Sequence, residues 1–169
     1  MNDAGGLNIL VLCTGNSARS ILGEALIARK GADRVRAFSA GSQPKGVPHP
    51  GALRLLEREG YDISAFRSKS WDEFAAPDAP RIDIAITVCG NAAGETCPLF
   101  IGAPVRAHWG LPDPADVAGD DAAVDAAFAE TYRLLDMRVR AMLTLPLETM
   151  TPAERRDALN AIGAMAGAA

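Results

Sequence analysis

The sequence predicts an α/β fold: a parallel sheet of about four strands with helices on both faces. Short aliphatic runs alternate with amphipathic segments along the chain, the order of successive βαβ units. The first run, Leu7-Asn8-Ile9-Leu10-Val11-Leu12, is apolar almost throughout, as a strand covered on both faces must be. The chain has 169 residues, 49% hydrophobic and 22% charged, which is one ordinary domain able to bury roughly 70% of its unfolded surface.

The elements follow in order. The first strand stops at Cys13. From Ser20 to Lys30, apolar residues recur at Ile21, Leu22, Ala25, Leu26 and Ala28, one face of a helix, with Gly31 expected as its C-cap. Val35 to Ala40 is a second strand. Pro50 to Gly60 is a second helix: Pro50 suits its first turn, Leu53, Leu55 and Leu56 are expected to face inward, and Gly60 ends it. A short helix is expected at Trp71 to Ala75. Ile82 to Val88 is a third strand, again stopping at a cysteine, and Pro104 to Trp109 is a shorter fourth. Ala122 to Leu143 is a long helix with Val124, Phe128, Leu135, Val139 and Leu143 on one side. Thr151-Pro-Ala-Glu154 is a capping box opening a terminal helix to Ala166, which carries Leu159, Ile162 and Met165.

Charge and composition exclude several classes. Lys and Arg total 17 against 21 Asp and Glu, a net charge of −4, with no run of five basic residues, so neither nucleic acid nor an anionic membrane is an expected partner. Met1 to Gly6 carries no Lys or Arg, and the apolar run behind it is too short for a signal peptide or membrane span, so a cytoplasmic location is expected. In that compartment Cys13, Cys89 and Cys97 read as free thiols with a chemical rather than a structural use.

The segment Cys13-Thr14-Gly15-Asn16-Ser17-Ala18-Arg19-Ser20 joins a buried strand to a helix start. Small and polar residues, with Gly15 and Asn16 able to take left-handed backbone angles, can wrap so that the N–H groups of the loop converge on one anion. The helix N-terminus behind it adds unpaired donors and a positive dipole end. Arg19 can grip two oxygens of a tetrahedral oxyanion with its planar fork. The same field favours Cys13 as a thiolate beneath the central atom of the anion.

Cys13 to Ser20 resembles the phosphate-binding loop of the low-molecular-weight protein tyrosine phosphatase family, and Cys-Thr-Gly-Asn-Ser-x-Arg-Ser is similar to its arsenate reductase branch. The likeness continues through Ser39-Ala40-Gly41, Asp62-Ile63-Ser64, Thr87-Val88-Cys89, Cys97-Pro98, His108-Trp109-Gly110 and Asp113-Pro114, covering Asn8 to Leu143. It implies a three-layer αβα fold around a four-stranded parallel sheet. Residues 1–145 then form the phosphatase-like reductase domain and residues 146–169 a C-terminal helical extension.

The resemblance also implies a mechanism. Cys13 attacks arsenate while Thr14 to Ser20 and Arg19 hold the oxyanion, and Asp113 is the general acid. Cys89 then attacks Cys13, releasing arsenite, and Cys97 attacks Cys89, with the spacer from Gly90 to Thr96 supplying mobility. Thioredoxin or a glutaredoxin-like dithiol donor recycles the disulfide; phosphate and sulfate compete for the loop. The phosphatase branch follows its Asp-Pro with two tyrosines, whereas Ala115 and Asp116 stand here, which suits a bare inorganic oxyanion. A phosphotyrosine phosphatase with protective extra cysteines, and a non-catalytic redox or oxyanion sensor, are the alternatives.

Asn16, Ser20 and Ser39 match positions that support the loop. Some thioredoxin-coupled members bind potassium beside it; Asn16, Glu24 and Ser39 match that site, but Arg67 and Lys69 bring cations to it, so no potassium is expected and Lys69 stands as the substitute charge. His49 reads as a polar turn residue, and His108 and Trp109 as packing at the end of the fourth strand. Asp116, Asp120, Asp121 and Asp125 read as a solvated helix start. No acidic or histidine residues recur at ligand spacing, so neither a metal nor a cofactor is expected.

Overall fold

The structure is a computed structural model, and it describes residues 6–90 and 100–165. Cys97 and most of the spacer before it lie outside the described residues.

Four strands, β1 (Leu7–Cys13), β2 (Val35–Gly41), β3 (Ile84–Thr87) and β4 (Val105–His108), form one parallel sheet in the order β2-β1-β3-β4. β1 and β3 are the interior strands and both are apolar on both faces: Ile9, Leu10, Val11 and Leu12 of β1, and Ile84, Ala85 and Ile86 of β3, are all sealed from solvent. Ile9 and Val11 point to the larger core, together with Ile84, Ile86, Val105 and Ala107. Leu10 and Leu12 point the other way, with Ala40 and Ala85.

Four helices, α1 (Arg19–Gly31), α2 (Pro50–Arg58), α3 (Asp121–Leu143) and α4 (Pro152–Gly163), contribute to the larger core. Among the described residues, the second face is covered by a 3-10 turn at Trp71–Phe74 and by Phe100 and Ala103. No helix of the described residues is long and apolar enough to cross a membrane.

Several boundaries move for physical reasons. Gly31 is the last residue of α1 rather than its cap; a Cβ there would lie 2.1 Å from Val35 Cγ2, so its smallness serves the close approach of β2. Ala32 is the residue that turns left-handed, with φ +46°. Gly60, at φ +88°, does end the turn after α2. Leu53, Val124 and Leu143 are half-buried. The capping box forms: Thr151 Oγ1 accepts from Glu154 N at 3.2 Å, and Glu154 Oε1 accepts from Thr151 N at 2.9 Å.

α4 closes the β4 side of the sheet. Leu159 and Ile162 enter the larger core, Trp109 Nε1 donates to Leu159 O at 2.8 Å, and His108 N donates to Asn160 Oδ1 at 2.9 Å. Gly163 lies so close to His108 that a Cβ would sit 2.0 Å from that carbonyl oxygen.

Candidate active site

The loop from Cys13 to Arg19 leaves the carboxyl end of β1 and enters α1, the place where parallel sheets bind ligands. Its carbonyls are drawn outward by the segment after β2: Gln43 N donates to Thr14 O at 2.9 Å, Lys45 N to Gly15 O at 3.0 Å and His49 N to Ser17 O at 2.8 Å. Asn16 N points to Cys13 Sγ at 3.3 Å. The residue before α1, Ala18, gives it no side-chain cap, whereas His49, Asp120 and Thr151 cap the other three α-helices. An uncapped first turn behind the loop has donors to offer an anion.

Asn16 holds the loop in shape from a left-handed backbone, φ +45°. Its Oδ1 accepts from Lys69 N at 2.9 Å, and its Nδ2 donates to Ser20 Oγ at 2.8 Å and Ser39 Oγ at 3.0 Å. Ser39 in turn donates to Glu24 Oε1. Ser20 Oγ lies 2.9 Å from Cys13 Sγ. Because that oxygen already accepts from Asn16, its own hydrogen is available to the sulfur. The three residues expected to support the loop are thus one network beneath the buried Cys13.

Arg19 and Asp113 meet over the loop, Nη2 to Oδ2 at 3.3 Å, with Arg19 nearly fully buried. Arg19 Nη1 also donates to Leu111 O at 2.9 Å and Val88 O at 3.5 Å, so the guanidinium is fixed by the ends of β3 and β4. Asp113 caps a 3-10 turn at Pro114–Asp116, its Oδ1 accepting from Ala115 N at 3.0 Å. Asp113 is thus a turn residue whose other carboxylate oxygen reaches Arg19. His49 caps α2 through Nδ1 and stacks on Phe128 at 5.0 Å; burial lowers its pKa against the opposing pull of Asp113.

The cations expected near Glu24 divide. Arg67 pairs with Glu73 at 3.0 Å, while Lys69 Nζ stands 3.9 Å from Glu24 Oε1. Burial raises the Glu24 pKa and lowers that of Lys69, each against the other's charge. Among the described residues, no three His, Cys, Asp or Glu side chains converge as metal ligands.

Cys89 follows β3. Leu12 lies opposite Thr87, and Val88 N donates to Leu12 O at 2.9 Å, so Cys89 comes just past the level of Cys13 on the neighbouring strand. It is fully buried. Three free thiols were the expectation; Cys13 is free, but Cys89 is disulfide-bonded. Pairing is decided by which sulfurs the fold brings within bonding reach, and chain spacing does not carry that. Tyr61 and Tyr132 join hydroxyls at 3.1 Å, under an Arg29 stacked 3.5 Å over the Tyr61 ring.

Some supporting groups have roles that the sequence did not assign. Gly41, noted only as part of the Ser39-Ala40-Gly41 segment, admits the loop: a Cβ there would lie 2.4 Å from Thr14 O. Ser68 Oγ donates to Gly15 O at 3.1 Å, and the carbonyls of Val88 and Leu111 aim Arg19. The close approach at Gly41 is one that an invariant glycine would betray in an alignment.

A strand-end cysteine under an inward-facing loop, with an arginine closing it from the following helix, defines a class of α/β protein by geometry alone. The chain belongs to the low molecular weight phosphotyrosine protein phosphatase family, whose model matches residues 8–153. An arsenate reductase of Halalkalibacterium halodurans is 34% identical over 132 residues, covering 78% of this chain and 91% of the relative. The crystal structure of an arsenate reductase from Archaeoglobus fulgidus is 25% identical with a TM-score of 0.59, over 78% of this chain and 98% of that one. A thioredoxin-dependent arsenate reductase of Corynebacterium glutamicum shares the fold at 23% identity and a TM-score of 0.58; the match covers 85% of this chain and 63% of that one.

Proposed function

We propose that this protein reduces arsenate to arsenite. The observation that carries the reading is the position of Cys89, at the end of the strand beside that of Cys13 and just past its level. A phosphatase needs Cys13, Arg19 and Asp113 only. A second cysteine there gives the bound oxyanion a route to two electrons, and the arsenate reductases among the relatives support the same choice of substrate.

In the proposed cycle a dithiol reductant first opens the Cys89 disulfide. Arsenate enters the loop, held by its N–H groups and Arg19, and the Cys13 thiolate attacks arsenic. An S–As bond forms and one oxygen leaves as water, protonated by Asp113. Cys89 then attacks Cys13 Sγ: an S–S bond forms, the S–As bond breaks, and its electron pair stays on arsenic, which leaves as arsenite. Cys97 attacks Cys89 Sγ and frees the Cys13 thiolate. A thioredoxin-type dithiol protein supplies two electrons to the remaining disulfide, as the naming of the Corynebacterium structure suggests. No metal or cofactor takes part.

The test supplies arsenate, thioredoxin, thioredoxin reductase and NADPH and follows NADPH loss. Arsenate-dependent loss is expected in the wild type and not in Cys89→Ser. Hydrolysis of an aryl phosphate that survives in Cys89→Ser, without arsenate-dependent NADPH loss under any dithiol donor, would instead make the protein a phosphatase.

A further inference from the structure

Arg138 lies in the C-terminal half of α3 and is completely buried. Among the described residues it has no carboxylate partner. Its Nε and Nη2 make no hydrogen bond, and burial pulls its pKa down. An uncompensated buried guanidinium is costly, and a leucine or methionine would fill the same core without that cost. What the guanidinium has, and an apolar side chain lacks, is donors. Nη1 gives them to two consecutive carbonyls, Trp109 O at 3.0 Å and Gly110 O at 3.3 Å.

Those carbonyls stand where β4 loses its pairing with β3. Trp109 N donates to Thr87 O at 2.7 Å and Leu111 N to Val88 O at 3.3 Å, so two residues advance on one strand against one on the other. The chain then runs to Leu111, whose carbonyl accepts from Arg19, and to Asp113, whose carboxylate meets Arg19. Two guanidinium groups thus take three successive carbonyls, Arg138 from the core and Arg19 from the loop.

We infer that Arg138 is a positioning residue: by holding the 109–110 backbone it sets where the Asp113 carboxyl stands over the loop. The inference rests on the proposed acid role of Asp113 and not on which oxyanion is the natural substrate. It places the effect of Arg138 in proton delivery, with anion capture left to Arg19 and the loop amides.

The experiment uses the full chain as wild type, Arg138→Met, Arg138→Lys, Asp113→Asn and the double variant Asp113→Asn with Arg138→Met. Hydrolysis of p-nitrophenyl phosphate and arsenate-dependent NADPH loss are measured side by side, with inhibition by inorganic phosphate as the gauge of anion binding. Arg138→Met is expected to lower kcat at least tenfold while KM and phosphate inhibition stay within twofold. Arg138→Lys, which keeps a donor, recovers part of the loss and guards against a folding failure of the methionine variant. The double variant is expected to be no slower than Asp113→Asn alone. Additive losses, or a rise in KM with kcat unchanged, would overturn the inference. Aryl phosphate hydrolysis showing the expected pattern without arsenate turnover would keep Arg138 in its role and overturn the reductase reading instead.

Discussion

Replacing Asn16 separates two things that the residue does for the loop. Its side chain makes three hydrogen bonds, to Lys69 N, Ser20 Oγ and Ser39 Oγ, at 2.9, 2.8 and 3.0 Å, and its backbone sits at φ +45°. Each bond contributes about 1 kcal/mol net, so Asn16→Gly, which keeps the backbone freedom and removes the amide, should destabilise by ~3 kcal/mol. Asn16→Ala loses the same bonds and adds about 1 kcal/mol of left-handed strain. Against a total of roughly 5–15 kcal/mol for a domain, either loss is large. Urea unfolding of both variants at one pH, with m unchanged, reads the two numbers. Water entering beside Ser20 and Ser39 would trim the first value but not the difference between the variants. If Asn16→Gly unfolds within about 1 kcal/mol of wild type, the network beneath Cys13 is not holding the loop; if alanine is no worse than glycine, the left-handed geometry is not needed.

Gly163→Ala places a Cβ 2.0 Å from the backbone oxygen of His108, which cannot yield, so α4 must shift; a loss of about 1–3 kcal/mol is expected in urea, and an unchanged midpoint would contradict this packing. Glu148, held by Arg34 at 2.8 Å, has its pKa lowered to about 2, first by that bond. Its stabilisation is present above the ordinary 4.5 and is lost as pH falls towards 2; both groups are exposed, so Glu148→Gln should remove under ~1 kcal/mol of acid sensitivity in melts between those limits. Glu24 carries the opposite sign. Burial raises its pKa, so its contribution is fullest below 4.5 and is lost as pH rises through the raised value. Glu24→Gln should flatten that part of the stability–pH curve, and a steeper curve would refute the assignment.

Much of this molecule is legible residue by residue. The run Leu7 to Leu12 reads as a strand covered on both faces because only two-sided burial tolerates so nearly continuous an aliphatic run. Thr151 and Glu154 read as a capping box because the pattern is local, and both bonds form. Cys13 to Ser20 reads as an anion loop for the same reason: its strand and helix are adjacent in the chain and its left-handed turn is intrinsic to Asn16, whereas Gly15, also expected to turn left-handed, has no positive φ and instead leaves room for the Lys45 side chain. Harder cases involve partners far away. Gly31 has the composition of a cap, yet β2 needs its smallness and Ala32 makes the turn. On a long amphipathic helix an arginine reads as solvent-facing, and only the passage of the Trp109–Gly110 backbone, just after β4, past Arg138 shows what its buried guanidinium holds.

The sequence by itself determined the alternation of strands and helices, the loop over Cys13 and the identity of the groups that could act there, because these depend on periodicity, side-chain chemistry and backbone preference within a few residues. The tertiary structure alone decided that Asp113 meets Arg19, that Cys89 comes just past the level of Cys13, that Glu24 and Lys69 face each other within the fold, and that Arg138 holds the 109–110 carbonyls. Those facts rest on strand order, on side chains far apart in sequence, and on main-chain oxygens that every residue carries alike, all of which acquire partners only when the chain closes on itself.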